Sequence, residues 1–322
     1  MYWVALLVPL LFVVAGLIFF VARRQPLVSL EMSAEIAAAA KAGHRRSSAR
    51  LRLTLLLVPA VGGVAVSLIV ASYQDADGID GPLGRTSFLL ISPLLVTIVI
   101  VLLLAFVPRF GETGVTRTAE ISRRSPLSFV TRPATLGPIV LTVLLSAATL
   151  TFGMLAWPNG ESLFYFYGGG YAGGGGEFPG FGFGVPILVS LALLFAAVWF
   201  SLFRVARAPR PSDNALREAD TAVRTLTSAS ILAIASFAIA ISLAIVLIMA
   251  GVAFWGVTDA RVDLGGDPVA VNAMAQTLAA LSRASVGLGV GFVILAIYFL
   301  VRTISLATRT PFRIARQERV RA

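Results

Sequence analysis

Seven long runs of apolar residues constrain this chain more than any other feature. The runs cover residues 3–22, 51–71, 87–107, 137–157, 185–204, 230–251 and 284–304. A helix needs about 20 largely apolar residues to cross the hydrocarbon layer of a bilayer, which matches the length of each run. Their central turns contain no Lys, Asp, Glu, His, Asn or Gln. The sequence therefore predicts an all-α fold, a polytopic bundle of seven transmembrane helices.

The segments between the runs are short. Each has about 15 to 30 residues, which is below the usual size of an independent domain. Hydrophobic residues make up 57% of the 322 positions, so lipid is the predicted solvent for most of the chain. We expect a single membrane domain over residues 1–322, located in the cell membrane, with no soluble catalytic domain attached.

Basic residues gather on one side of the predicted membrane. The loops after the first, third, fifth and seventh runs, with the adjoining run ends, hold 23 of the 26 basic residues, and only Arg85, Arg261 and Arg283 fall on the other side. Acidic residues divide eight to each side, so the net charges are +15 and −5. Because cytoplasmic loops carry the excess of Lys and Arg, we predict an N-terminus outside the cytoplasm and a C-terminus inside it.

The net charge of +10 bears on the choice of partner. Positive loops beside a membrane attract anionic lipid head groups by about 1 kcal/mol per basic residue. We therefore predict contact with anionic lipid at the cytoplasmic face. The same charge does not indicate nucleic-acid binding, because membrane topology already accounts for it.

The chain lacks the residues that several kinds of membrane chemistry need. It has no cysteine, and His44 and Lys41, its only histidine and lysine, lie in a loop, so thiolate chemistry and a retinal Schiff base are excluded. Proton-coupled transporters keep titratable groups inside the membrane, and the predicted helices have none in their central turns. The acidic loop 75–81 lacks the spacing of an EF-hand. We predict no catalytic residues, no metal, no cofactor and no enzyme activity.

Small residues recur at packing intervals in the last predicted helix. Gly287 and Gly291 have the GxxxG spacing that lets two helix backbones approach closely in lipid. The spacing predicts a tight helix contact at these two positions. It leaves open whether the partner helix belongs to this chain or to another one.

Aromatic residues and glycines dominate the loop after the fourth run. A phosphate-binding loop is excluded, because no Lys followed by Ser or Thr comes after the glycines. The aromatic residues fit an interfacial belt beside a flexible glycine tip, or alternatively a surface that contacts a partner. The candidate contact residues are Phe164, Tyr165, Phe166, Tyr167, Tyr171, Phe178, Phe181 and Phe183.

The loop before the sixth run reads as the start of a helix. Asp213 is a predicted N-cap, and Asp220 and Arg224 stand at the i, i+4 spacing of a surface ion pair. We expect this amphipathic stretch to continue into the sixth transmembrane helix, lying along the inner membrane surface before it turns into the membrane.

Four segments resemble actinobacterial integral membrane proteins of uncharacterised function. They are residues 114–120, 125–130, 178–186 and 208–217, within a region of resemblance over residues 108–240. The resemblance implies a multi-helix membrane fold and brings no known site residues. It also implies an accessory role beside transporters.

Two functions fit these observations. The first is a non-enzymatic membrane protein that acts through a membrane-protein partner, as an accessory or subunit of a transport or envelope system. The alternative is a facilitator or permease for an uncharged or apolar solute, with a path lined by hydroxyls and by backbone freed at Pro59 and Pro93. A polar cavity at the midplane of the membrane would distinguish the second function from the first.

Overall fold

The structure is a computed structural model. It describes residues 30–32, 85–105, 125–130, 132–156, 164–167, 170–173, 178–208, 214–259, 268–308 and 312–314. The predicted runs 3–22 and 51–71 lie outside the described residues, and so do Pro59 and Asp213.

Five helices make up most of the described chain. They are α1 (Arg85–Ala105), α2 (Arg132–Leu155), α3 (Phe181–Arg207), α4 (Asn214–Asp259) and α5 (Pro268–Thr308). These helices coincide with the last five apolar runs of the sequence. Among the described residues, α2, α3, α4 and α5 are each long and apolar enough to cross a membrane. The described fold is therefore an α-helical bundle of membrane-spanning dimensions.

Helices that follow one another in the chain run in opposite directions. Gly289 of α5 lies against Ala244 and Ile248 of α4, while Gly251 lies against Ser282 and Val286, so these two helices are antiparallel. The remaining helices alternate in the same way. We call one end of the bundle the arginine end, where α1, α3 and α5 finish and α2 and α4 begin. The other is the opposite end.

Helix α4 is the centre of the bundle and contacts the other four helices. In its most apolar stretch 78% of the residues are buried, compared with 28% to 39% in α2, α3 and α5. One core cluster gathers around Leu243 of α4, with Leu145 of α2 and Leu191 of α3 among its members. A second cluster includes Val101 of α1, Val205 of α3 and Ile231 of α4, towards the arginine end.

The outer faces of the helices are apolar as well. Val143 of α2, Leu193 of α3 and Leu288 of α5 are all more than half exposed. Soluble proteins rarely present apolar surface on this scale, because water would drive it into an interface. Lipid removes that penalty, so the exposed apolar faces fit a bundle surrounded by acyl chains.

Two short strand pairs accompany the helices. Strand β1 (Leu30–Met32) pairs in parallel with β4 (Phe312–Ile314), which follows the end of α5. Strand β2 (Phe164–Tyr167) pairs antiparallel with β3 (Gly170–Gly173) in the connection between α2 and α3. The first pair joins the N-terminal part of the chain to its C-terminal tail beside the arginine end.

Candidate functional site

A buried ion pair lies near the arginine end of α4. The Asp220 and Arg224 side chains are 1% and 0% exposed, and Arg224 Nε donates to Asp220 Oδ2 at 2.6 Å. Two charges can be held out of water only when they are paired and hydrogen-bonded, because desolvation otherwise costs several kcal/mol per ion. Charge pairing is therefore a condition for burying this turn of α4.

The same arginine caps the end of a neighbouring helix. Its Nη1 atom donates to the carbonyl oxygens of Val205 at 2.9 Å, Ala208 at 3.0 Å and Ala206 at 3.4 Å. The last carbonyls of a helix have no partner within the helix, and they carry the negative pole of its dipole. At the C-terminus of α3, Arg224 donates hydrogen bonds to the last carbonyls and places a positive charge beside the negative end of the helix dipole. The guanidinium also lies 5.5 Å from the centre of the Phe129 ring.

The ion pair corrects one expectation from the sequence. Asp220 and Arg224 were expected to form a surface pair on an amphipathic run that lies along the membrane and continues into the sixth helix. The continuation is confirmed, because α4 is one helix from Asn214 to Asp259, but the pair is buried. A clue was present in the sequence, since Asp220 and Arg224 adjoin Ala219 and Val223 of the apolar face.

One oxygen atom of the Asp220 carboxylate has no hydrogen-bond partner in the described structure. Asp220 Oδ1 is buried and has no hydrogen-bond partner in the described structure, as is also true of Ser228 Oγ and Ser305 Oγ. The antiparallel register of α4 and α5 puts Ser305 near the level of Ser228. Across the described residues, no three His, Asp or Glu side chains come close enough to hold a metal ion. What the site does is link α4 to the end of α3 through the hydrogen bonds of Arg224, and we call this contact the helix clamp.

Several buried hydroxyls in the bundle bond to backbone carbonyls. Three of them link different helices: Ser201 reaches Val101 at 3.0 Å, Ser242 reaches Leu90 at 3.4 Å, and Ser282 reaches Gly251 at 2.7 Å. Others bond within their own helix, four residues back: these are Thr149, Ser236 and Thr303. Each of these hydroxyl groups donates its hydrogen to a backbone carbonyl, which is a common role for hydroxyls in membrane helices.

The two predicted packing glycines face outward. A Cβ atom built on Gly287 or Gly291 meets nothing within 4 Å, whereas one on Gly289 would lie 2.6 Å from Ile248 Cγ1 and 3.0 Å from the Ala244 oxygen. The close contact between α4 and α5 is thus made by Gly289, with Gly251 on the other helix. The predicted contact at Gly287 and Gly291 is not formed within the described chain. A contact there with another chain stays a prediction.

Two segments of the aromatic loop are paired strands. Phe164–Tyr167 pairs antiparallel with Gly170–Gly173, and Phe166 lies opposite Tyr171. For these strands the partner-contact hypothesis stays a prediction.

The aromatic residues at the start of α3 are placed differently. Phe178 is completely buried, with its ring centre 5.7 Å from those of Phe152 and Phe254. Phe183 is also buried, while Phe181 is 43% exposed and packs over Gly153. Burial removes Phe178 and Phe183 from any partner surface, so the partner-contact prediction is wrong for these two residues.

No family model, curated protein or solved structure matches this chain. The resemblance to actinobacterial membrane proteins therefore stays a prediction. What the chain does must be inferred from the chemistry and geometry of its own residues.

Proposed function

We propose that this chain is a non-enzymatic protein of the cell membrane that acts through a partner, as an accessory or subunit of a transport or envelope system. The observation that carries the proposal is the use made of its buried polar groups. Arg224 binds Asp220 and caps α3, and Ser201 and Ser242 bond to backbone carbonyls of other helices. Most of the buried polar groups described above are thus used in holding helices together; the exceptions among the described residues are Asp220 Oδ1, Ser228 Oγ and Ser305 Oγ. We therefore expect the chain to act through its surfaces.

The outer face of α5 is the surface that best fits a partner helix. Gly287 and Gly291 are open there, and Leu288 between them is 58% exposed. Lipid supplies no hydrophobic drive for helix association, so close backbone approach at small residues is the main source of affinity. The GxxxG spacing on an uncovered face matches that requirement. We expect a transmembrane helix of another protein to pack at this position.

A crosslinking experiment in native membranes tests this face. A photoreactive amino acid in place of Leu288 should give one adduct of fixed mass, because a packed partner helix lies within reach of that side chain. The same residue at Val143, which is exposed on α2, provides the matched control and should give only lipid adducts. Adding Gly287→Leu should abolish the Leu288 adduct without unfolding the chain, since the space around Gly287 is open.

Three outcomes would count against the proposal. Equal crosslinking at Leu288 and Val143 would show that the α5 face contacts lipid. An adduct of twice the chain mass would identify a second copy as the occupant and not a different protein. If the chain purifies alone and vesicles containing it take up an uncharged solute with saturable kinetics, the facilitator function replaces the subunit function.

For topology we propose seven spans, with the arginine end in the cytoplasm. The pairing of β1 with β4 supports this, because it holds residues 30–32 beside the segment that follows α5. Helix α1 begins at the opposite end, so we expect an odd number of crossings between residues 32 and 85. The predicted run 51–71 supplies one crossing, and the run 3–22 then starts outside.

Cysteine labelling tests the topology, since the chain has no cysteine of its own. With an impermeant maleimide on intact cells, we expect Asp77→Cys and Ala172→Cys to react, because the proposed topology puts both at the outer side. Ser48→Cys and Ser128→Cys should react only after lysis. The reverse pattern would show that the orientation is the opposite of the one proposed. Reaction of both Ser48→Cys and Asp77→Cys in intact cells would show that the chain does not cross the membrane between these two residues.

A further inference from the structure

Arg302 is a half-buried arginine in the membrane-spanning part of α5. The part of this helix that is apolar enough to span a membrane runs from Gln276 to Leu306 and includes it. A Cβ atom built on Gly137 of α2 would lie 3.3 Å from Phe299 of α5 and 3.6 Å from Ser236 of α4. Those two residues are therefore at one level of the bundle, and Arg302 is less than one turn nearer the arginine end.

This level is inside the hydrocarbon layer when the apolar run 230–251 is centred in a membrane. Ser236 is about four residues from the middle of that run, so the backbone of Arg302 is about 10 Å from the midplane. The layer is about 30 Å thick, and its edge is thus about 15 Å from the midplane. A charge at this depth is costly and usually has a binding partner or lines a pathway.

The described part of the chain does not neutralise this charge. It records no hydrogen bond and no ion pair for Arg302, whereas Arg224 is paired with Asp220. The sequence also has no carboxylate at this depth, because none of the seven apolar runs contains Asp or Glu. The acidic partner of Arg302 therefore cannot come from an apolar run of this chain or of a second copy.

The direction of the side chain favours a partner inside the membrane over a lipid phosphate. Helical side chains lean towards the N-terminus of their helix. Because α5 ends at the arginine end, Arg302 leans towards the membrane interior and away from the head groups on its own side. An anionic group that pairs with it in this position has to enter the hydrocarbon layer.

The open face of α5 leads directly to this arginine. Leu288, Gly291, Leu295, Tyr298 and Arg302 follow one another at steps of three or four residues. Such a pattern is the seam along which two helices pack at a small crossing angle. The first two residues are exposed and the last three are half-buried. A helix that packs against Gly291 would reach Arg302 about three turns further along.

We propose that Arg302 binds a carboxylate that a transmembrane helix of a different protein carries into the membrane. A guanidinium donates two parallel hydrogen bonds to a carboxylate, and pairing offsets the cost of holding each charge in lipid. The proposal rests on the partner helix proposed for the outer face of α5 and specifies its chemistry. That helix has an Asp or Glu about 16 Å along its axis from the contact with Gly291, towards the arginine end.

A zero-length crosslink tests for this carboxylate. Lys41 is the only lysine of the chain, so Lys41→Arg with Arg302→Lys leaves a single side-chain amine, at the proposed site. Dicyclohexylcarbodiimide, which enters lipid, activates the carboxylate; the amine then displaces dicyclohexylurea and forms an amide. In native membranes we expect an amide between position 302 and an Asp or Glu in a transmembrane segment of another protein. Mass spectrometry of the joined peptides identifies both positions.

Two comparisons separate the proposed pair from general reactivity. Ile304→Lys in the Lys41→Arg chain is the matched control, because this residue has a similar depth, is 37% exposed and lies on another side of α5. It should give little or no amide. In the photocrosslinking experiment at Leu288, Arg302→Gln should lower the yield of the partner adduct by about tenfold or more, whereas Arg302→Lys keeps the charge and should retain most of it.

Four results would overturn the proposal. A bond from the introduced amine to a lipid phosphate would identify a head group as the anion. An amide within the chain or between two copies would show that this protein supplies the carboxylate itself. Equal amide yields from positions 302 and 304 would show no specific pair. If Leu288 still crosslinks to a partner but position 302 gives no amide, the partner stands and is neutral at this level; loss of both adducts would remove the proposed partner as well.

Discussion

Helices α2 and α4 are both apolar and both long enough to cross a membrane, yet they have opposite places in the bundle. Most of α4 is buried, and most of α2 faces outward. One difference between the two helices is the size of many of their side chains. Helix α4 is rich in Ala and Ser, whereas α2 presents Leu136, Ile139, Val140 and Val143 on its exposed face.

The comparison teaches that a large apolar side chain need not be buried in this fold. In water a large apolar side chain gains by burial, but lipid is as apolar as the bundle interior. Small residues such as Ala238 and Ala240, both fully buried, let neighbouring backbones come close and gain packing contacts. The same comparison extends to charge, since α4 buries Asp220 and Arg224 and gains a clamp on α3.

The largest predicted effect concerns that clamp. Arg224→Met leaves the Asp220 carboxylate buried without a cation and the last carbonyls of α3 without a donor. Removing one partner of a buried pair costs about 3–5 kcal/mol, so we expect a large fall in the free energy of unfolding in detergent. The measurement is denaturant unfolding followed by tryptophan fluorescence.

Two further variants show whether charge burial is the cause. Asp220→Leu combined with Arg224→Met should recover part of the loss, since no unpaired charge remains. Arg217→Met, at a half-buried arginine on the same helix, should cost less than about 1 kcal/mol. If Arg224→Met unfolds at the same denaturant concentration as the parent, the pair is accessible to water and α4 differs from α2 less than we argue.

The sequence was informative about where the described helices lie and less so about which of their residues are buried. The run 230–251 marks only the middle of α4, but the helix start predicted in the loop before it agrees with a helix that begins at Asn214. The charges of Asp220 and Arg224 pair within α4, but their burial and the bonds of Arg224 to the last carbonyls of α3 require α3 and α4 to be in contact. Information of that kind depends on two distant segments, so a local pattern cannot contain it.

The packing glycines show the same limit. Gly287, Gly289 and Gly291 follow one another at two-residue steps, so glycine occurs on two sides of α5. Spacing alone favours Gly287 and Gly291, whereas the structure packs Gly289 against α4. Which side is covered depends on where α4 lies, and the periodicity of α5 does not specify that.

The smaller predicted effect has opposite signs on the two sides of α5. Gly289→Ala should lower the free energy of unfolding by about 1–3 kcal/mol, because the added methyl meets Ile248 and the Ala244 backbone oxygen and the helices must separate. Gly287→Ala should raise it by up to about 1 kcal/mol, because the site is open and Ala favours the helix more than Gly does. Gly251→Ala, which faces Val286 and the Ser282 oxygen, should behave like Gly289→Ala. Unfolding of the purified chain in detergent measures all three variants. If Gly287→Ala lost as much stability as Gly289→Ala, the outer face of α5 would be covered within the chain. That face would then not be free to accept a partner helix.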